Sequence, residues 1–444
     1  MSSFEKNIPV IHGFSKLNRW QKIELLKELT KIDKNLQETL DSWLPKSRDE
    51  QDTFEGFIEN YITNYHLPLG VVPNMVINGK SYTVPMVTEE SSVIAAASRA
   101  AKFWAEHGGF QVKIGGTEKK GQIHFTWDGD KNLLINHFNT LRKRMILATE
   151  PVTQKMRERG GGIMAVRLID KTSLLPGYFQ IDVSFETADA MGANFINTCL
   201  ETMAQVLKKS AGDLSLDGNI EVILSILSNY TPDSLAECTV ECGIENLSKW
   251  SGELTPQAFA RKFELANRIA QTDISRAVTH NKGIYNGVDA LILATGNDWR
   301  AVEACGHAYA SASGSYRALT ETEISDRQFR YRLKIPLTLG TVGGLTNTHP
   351  LARLALQILG NPGAKELMMI AAAAGMANNF SAISALITSG IQKGHMKMHL
   401  PNILKQLRTT KTEAEVVVNY FEKKEISYAA VKNFLTRLRI ENGK

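Results

Sequence analysis

Lys282 stands in the stretch Thr279-His280-Asn281-Lys282-Gly283-Ile284-Tyr285-Asn286-Gly287, followed by the apolar run Val288 to Ala294 and then by Thr295-Gly296-Asn297-Asp298-Trp299-Arg300. An ammonium beside a carboxylate in a partly dry cleft can stabilise negative charge growing on a carbonyl oxygen, and the carboxylate keeps that ammonium protonated against desolvation. The apolar run has the length of a buried strand and is bounded by glycines, so Lys282 and Asp298 are expected on exposed loops at its ends. The same residues equally fit a solvated lysine and an Asp298 that only caps a helix beginning at Trp299. Both readings stay open at this level.

Other stretches carry comparable chemistry. Glu89 and Glu90 precede the alanine-rich run Val93-Ile94-Ala95-Ala96-Ala97-Ser98. Acids there either compensate a helix dipole or, sheltered by apolar neighbours, donate a proton. The segment Asp189-Ala190-Met191-Gly192-Ala193-Asn194 follows an alternating strand and opens a helix, an arrangement whose outward N–H groups suit an anion, although GxGxxG occurs nowhere in the chain. A second glycine turn, Leu339 to Thr346, is either a plain connection or the opposite wall of a cofactor cleft. His395 and His399 are spaced i, i+4, but no carboxylate or cysteine completes a metal set nearby, so no metal is expected. Flanked by Gly394, His395 is better suited to act as a titrating acid closing over a ligand.

The elements that must position these residues follow from length and periodicity. A chain of 444 residues exceeds one core and predicts two or three domains. Hydrophobic content of 43% and charged content of 22% are those of a soluble globular protein, and a net charge of +5 without dense basic patches argues against nucleic acid. Cys199, Cys238, Cys242 and Cys305 lack CxxC spacing and read as reduced core residues of a cytoplasmic protein. Neither a signal-peptide layout at Met1 nor a membrane-length apolar stretch is apparent, Leu367 to Ala374 being too short.

An amphipathic helix is predicted from Arg19 to Ile32, a polar excursion over 34 to 56, and a hairpin turn at Asn78-Gly79-Lys80. The clearest strand alternates Phe179, Ile181, Val183 and Phe185 with polar residues, and a helix with Phe195, Ile196, Cys199, Leu200, Met203 and Leu207 inward follows it. Residues 365 to 388 read as a tightly packed helix, and the tail to Lys444 as short amphipathic helices.

In combination, Pro85-Met86-Val87-Thr88-Glu89-Glu90, Asp189 to Asn194, Thr279 to Gly283, Thr295 to Asp298, Gly340-Thr341-Val342-Gly343-Gly344 and Gly394-His395-Met396 resemble hydroxymethylglutaryl-CoA reductase of the bacterial class II form, over a span from about Gly13 to beyond His399. The resemblance implies a mixed α-β fold: a large substrate-binding domain of residues 1–112 and 223–388, an inserted small non-Rossmann cofactor domain of 113–222, and a C-terminal helical flap of 389–444. It implies a four-electron reduction of hydroxymethylglutaryl-CoA to mevalonate and CoA with two NADPH or NADH hydrides, in a homodimer that can associate further and touches no membrane.

By the same resemblance, Glu90 handles the proton of the aldehyde stage, Lys282 stabilises the oxyanion, Asp298 tunes that lysine and His395 protonates the departing thiolate. Arg276 would clamp the substrate carboxylate, with Ser92 and Asn286 beside substrate or lysine. Asp189, Ala190, Met191, Gly192, Ala193, Asn194, Val342, Gly343 and Gly344 would line the nicotinamide cofactor. Residues 149–159 are where the adenine ribose is expected, and their basic excess leans toward NADPH. Ser91 replaces the family's usual proline, which loosens the turn before the helix. A CoA-dependent enzyme without redox chemistry and a non-catalytic relative are the alternatives.

Overall fold

The computed structural model describes residues 10–30, 35–213, 218–325, 327–388, 400–421, 424 and 426–441, with the side chains of 211–213 left undescribed. Its backbone contacts divide it into two units, Met1–Pro68 and Leu69–Lys444. Among the described residues, the first contains the short α-helices α1 (Arg19–Thr30), α2 (Leu36–Asp41) and α3 (Arg48–Glu55). Ile23 is its apolar anchor, while Arg19 ties α1 to later chain through Asp41 at 2.7 Å and the Ile62 carbonyl at 2.5 Å.

The second unit begins with a hairpin, β1 (Leu69–Ile77) and β2 (Lys80–Val87). Asn78 and Gly79 take φ of 49° and 82°, the two positive values that a tight hairpin turn matched to strand twist requires. Then come α4 (Ser91–Ala105), β3 (Gln111–Ile114), β4 (Lys119–Trp127), α5 (Lys131–Ala148), α6 (Glu150–Glu158), β5 (Gly162–Asp170), β6 (Tyr178–Glu186), α7 (Ala193–Asp213) and β7 (Ile220–Ser228). Strands β5, β6, β4 and β7 form one sheet in that order, antiparallel throughout. Its inward face, Ile123, Phe125, Phe179, Ile181, Val183 and Phe185, packs on Ile196, Cys199, Leu200, Met203 and Leu207 of α7, as the alternation and helical spacing predict. The expected inner boundary at 222 falls inside β7, which stays paired with β4 as far as Ser228.

The chain continues through β8 (Leu235–Gly243), α8 (Pro256–Thr272), α9 (Ile274–Ala294), α10 (Trp299–Ala310), β9 (Thr320–Ser325), β10 (Gln328–Pro336), α11 (Leu345–Thr348), α12 (Pro350–Ile358) and α13 (Ala364–Ile387). A second antiparallel sheet, β3-β8-β10-β9, shares a core with α4, α8, α9 and α13. By length and composition α13 could cross a membrane, yet 78% of its most apolar window is buried within the protein. Helices at residues 400–406 (α14), Lys411–Phe421 (α15) and Tyr428–Glu441 (α16) share a small core of Leu404, Val417, Phe421, Val431 and Leu435. All four cysteines are free and buried, and burial pushes the thiols of Cys199 and Cys242 up to about 12.

One expectation is overturned where it matters most. Residues 274–294 are a single helix rather than a loop, a strand and a loop, so Lys282 projects from mid-helix. The glycines that read as turns are contact points for α13. A Cβ at Gly287 would collide with the Ala374 carbonyl, one at Gly283 would lie 3.2 Å from Asn379 Nδ2, and one at Gly375 would lie 2.7 Å from Val288 Cγ2. Glycine inside a helix is unfavourable by itself, and close burial of two backbones offsets that cost.

Candidate active site

Glu90 is the N-cap residue of α4, at the joint where β2 ends. Because α9 packs across β2 and α4, the outward side of α9 faces this joint. Lys282 Nζ donates to Glu90 Oε2 at 3.2 Å, and Ser92 Oγ donates to Glu90 Oε1 at 2.6 Å. Both carboxylate oxygens therefore have a donor. The Lys282 side chain remains 62% exposed, so its remaining N–H groups are open to a ligand. Glu89 is exposed and has no comparable partner among the described residues.

Asn286 sits one turn beyond Lys282 on the same side of α9, about 6 Å along the axis. Arg276 stands about 9 Å the other way and a third of a turn round. Its guanidinium has no hydrogen-bond or ion-pair partner among the described residues, and burial lowers it from its ordinary value, with Tyr331 opposing. A half-buried fork of donors without an acceptor suits a carboxylate.

Asp298 does something else within this chain. Its carboxylate caps α10, accepting from Arg300 N at 3.1 Å, Ala301 N at 3.2 Å and Arg300 Nε at 3.2 Å. The expected contact with Lys282 is not made here, because Ala294 is twelve positions further along the helix, about 18 Å of rise, and Asp298 lies beyond that end. His395 lies outside the described residues.

The two glycine segments do meet. Ala190 and Val342 form a parallel β-bridge, Thr341 N donates to the Asp189 carbonyl at 2.8 Å, and a Cβ at Gly340 would collide with Met191 N. Asp189 Oδ1 accepts from Ala364 N at 2.7 Å, capping α13. Gly192, at φ 91° against the Thr187 side chain, lets the chain turn into α7, whose first N–H groups face outward. A cavity of about 480 Å³ is lined here by Arg159, Asp189, Ala190, Val342, Gly343 and Asn347. Met191 and Ala193 line a smaller neighbouring cavity; Gly192 and Gly344 lie in the turns before α7 and α11, and Asn194 in the first turn of α7.

Two residues escaped the sequence reading. Asn297 Oδ1 accepts from Gly340 N at 2.8 Å, joining the Thr295–Asp298 turn to the second glycine turn, and nothing local in the sequence announces it. Lys119 is buried beside Met191 and Ala193, its ammonium lowered by burial while Glu186 and Asp189 oppose. The alternation of β4 could have found it, since Lys119 shares the inward face of Ile123, Phe125 and Trp127.

The sequence model of the family described as hydroxymethylglutaryl-coenzyme A reductase matches residues 20–400. The 3-hydroxy-3-methylglutaryl-coenzyme A reductase of Archaeoglobus fulgidus is 36% identical over 439 residues, 97% of this chain and 94% of that protein. A probable reductase of the same name from Borreliella burgdorferi is 34% identical, covering 88% of this chain and 89% of its own. Among solved structures, the Streptococcus pneumoniae reductase superposes with a TM-score of 0.70 at 32% identity, covering 97% of this chain and all of its own. A class II enzyme from the same organism, bound to NADPH in open conformations, gives 0.68 at 34% identity over 86% of this chain and all of its own. A family match over residues 20–400 and near-complete alignment with relatives at 34–36% identity show that the chain belongs to the hydroxymethylglutaryl-coenzyme A reductase family.

Proposed function

We propose that this protein reduces the thioester of hydroxymethylglutaryl-CoA to mevalonate and free CoA. The observation that carries the reading is the Lys282–Glu90–Ser92 group, a cation held beside an acid with its outer face open to a ligand. Hydride addition to a thioester or aldehyde carbonyl leaves charge on oxygen. Lys282 is placed to stabilise that charge, and Glu90 to return a proton to the alkoxide of the aldehyde stage through its contact with Lys282. Ser92 holds the Glu90 carboxylate in position, and Arg276, with no acceptor among the described residues, takes the substrate's free carboxylate. His395 keeps its expected role as the acid for the departing thiolate.

The crevice between the glycine segments fits a nicotinamide dinucleotide: outward N–H groups of α7, a turn with no room for a Cβ at residue 192, and a basic side chain, Arg159, on its wall. When bound, that cofactor supplies the hydride for each stage. Arg159 favours the phosphorylated form, NADPH. Residues of the first glycine segment with their sheet form the cofactor domain of about 113–222 extended through β7, the remaining core forms the substrate domain, and the C-terminal helices the flap.

Asp298 reaches Lys282 from a second copy of the chain, since 18 Å of helix separates the two within one chain. The working unit is accordingly a homodimer. A spectrophotometric assay tests the whole: oxidation of NADPH or NADH that depends on added hydroxymethylglutaryl-CoA and yields mevalonate is the expected result. Intact binding of the thioester with no cofactor oxidation in either direction would replace the proposal with a non-redox CoA protein.

A further inference from the structure

The Asp298 turn and the second glycine turn are fastened to each other by a side chain that takes no part in the chemistry above. Asn297 Oδ1 accepts from Gly340 N at 2.8 Å, and Asn297 Nδ2 donates to Thr295 Oγ1 at 3.2 Å. Thr295 is fully buried, and its hydroxyl in turn donates to the Leu291 carbonyl at 2.9 Å, so the amide is anchored to the last turn of α9. Both ends of the amide are used, and only this orientation serves. Turned over, its NH2 would face the Gly340 N–H, donor against donor. The backbone is held as well: Asn297 N donates to the Ile292 carbonyl at 2.9 Å, and a Cβ at Gly296 would lie 3.2 Å from Thr346 N.

Each side of this clasp leads to a residue with a proposed role. Asp298 directly follows Asn297, and its Oδ1 accepts from Arg300 N, Ala301 N and Arg300 Nε. Oδ2 has no partner among the described residues, and its direction is set by the backbone of the turn that Asn297 secures. On the other side, Gly340 packs so closely on Met191 N that it has no room for a Cβ. Thr341 N donates to the Asp189 carbonyl at 2.8 Å, and Val342 bridges to Ala190. The turn that carries Val342 and Gly343 to the wall of the crevice therefore rests on the first glycine segment along one side and on Asn297 at its start.

We infer that Asn297 is a positioning residue that holds the Asp298 carboxylate and the Gly340–Gly343 wall of the crevice in one fixed arrangement, so that releasing its bond to Gly340 loosens both at once. The kinetic consequence rests on the roles proposed above for Asp298 and the crevice, while the clasp itself does not.

Asn297→Ala tests this, and Asn297→Gln, which displaces the amide by one methylene, serves should the alanine variant fail to fold. In the cofactor-free protein, hydrogen exchange read by mass spectrometry should quicken by about threefold to tenfold, the worth of one net hydrogen bond, in the peptides covering Gly340 and Arg300–Ala301. NADPH titrated against the protein and followed by its own fluorescence should bind more weakly by a similar factor, and kcat should fall with it. The KM for hydroxymethylglutaryl-CoA and the Tm should hold, a split that a general loss of structure would not give. Unchanged exchange at either peptide, or an equal weakening of NADPH and thioester with a lowered Tm, would overturn the inference. A parent that neither binds nor oxidises NADPH would instead remove the cofactor reading, and the exchange measurement would still decide whether Asn297 holds the two turns together.

Discussion

Lys282 on the middle of α9 and Glu90 at the N-terminus of α4 are 192 positions apart in the chain and meet at 3.2 Å. Neither is a buried structural ion pair, for the lysine side chain is 62% and the glutamate 33% exposed. An exposed pair of this kind adds little to stability, about 0–1 kcal/mol, so its geometry is better explained by what it offers a ligand.

Lys282→Ala should therefore leave Tm close to that of the parent while lowering turnover about a hundredfold to a thousandfold, the range seen when one oxyanion donor is removed. Steady-state kinetics with hydroxymethylglutaryl-CoA, beside a thermal melt, check both halves. Near-normal turnover would remove the central role given to this residue.

Asp298 and Lys282 belong to different copies in the proposed dimer. Mixing inactive Lys282→Ala with inactive Asp298→Ala should then restore activity, because each hybrid has one site with both residues intact and one with neither. Roughly a quarter of parent activity is expected at equal mixing if copies pair at random and intact sites work independently. If the mixture stays as inactive as its parts while exchange of copies is demonstrated, the residues act within one chain.

Arg159 lines the cavity beside Asp189 and Val342. Arg159→Glu should raise KM for NADPH by about tenfold to a hundredfold, the equivalent of one charge-assisted hydrogen bond of about 1.5–3 kcal/mol, and change KM for NADH far less. Equal losses with the two cofactors would show that Arg159 does not read the phosphate.

His280 is buried one turn from Arg276, with Nε2 2.6 Å from Thr320 Oγ1 and Nδ1 lacking a partner among the described residues. Burial, and after it Arg276, lower its pKa from 6.5 to about 3. The unfolded chain takes up that proton below about pH 6.5 and the folded chain does not, so stability present above 6.5 is lost as pH falls toward 3. Urea denaturation between pH 7.5 and 4.5 should show the parent losing stability relative to His280→Gln by up to about 1.4 kcal/mol per unit. Parallel curves for the two proteins would contradict it.

Local physics was legible in the chain itself. Alternation gave β6 its limits near Tyr178 and Glu186, Asn78-Gly79 marked a hairpin, and Asp298 could be read as the cap of α10, because each rests on neighbours within a few residues. Six separated motifs in order were enough to suggest the family. What folding alone decided is how distant segments pair. Gly283 and Gly287 belong to a helix because α13 packs against them, a fact held by Ala374 and Asn379 about ninety positions away. Once that stretch is helical, its 1.5 Å rise per residue carries Asp298 out of reach of Lys282 and leaves Glu90 beside it, so the partner of the lysine is set by the packing of α9 on β2 and α4 and not by nearness along the sequence.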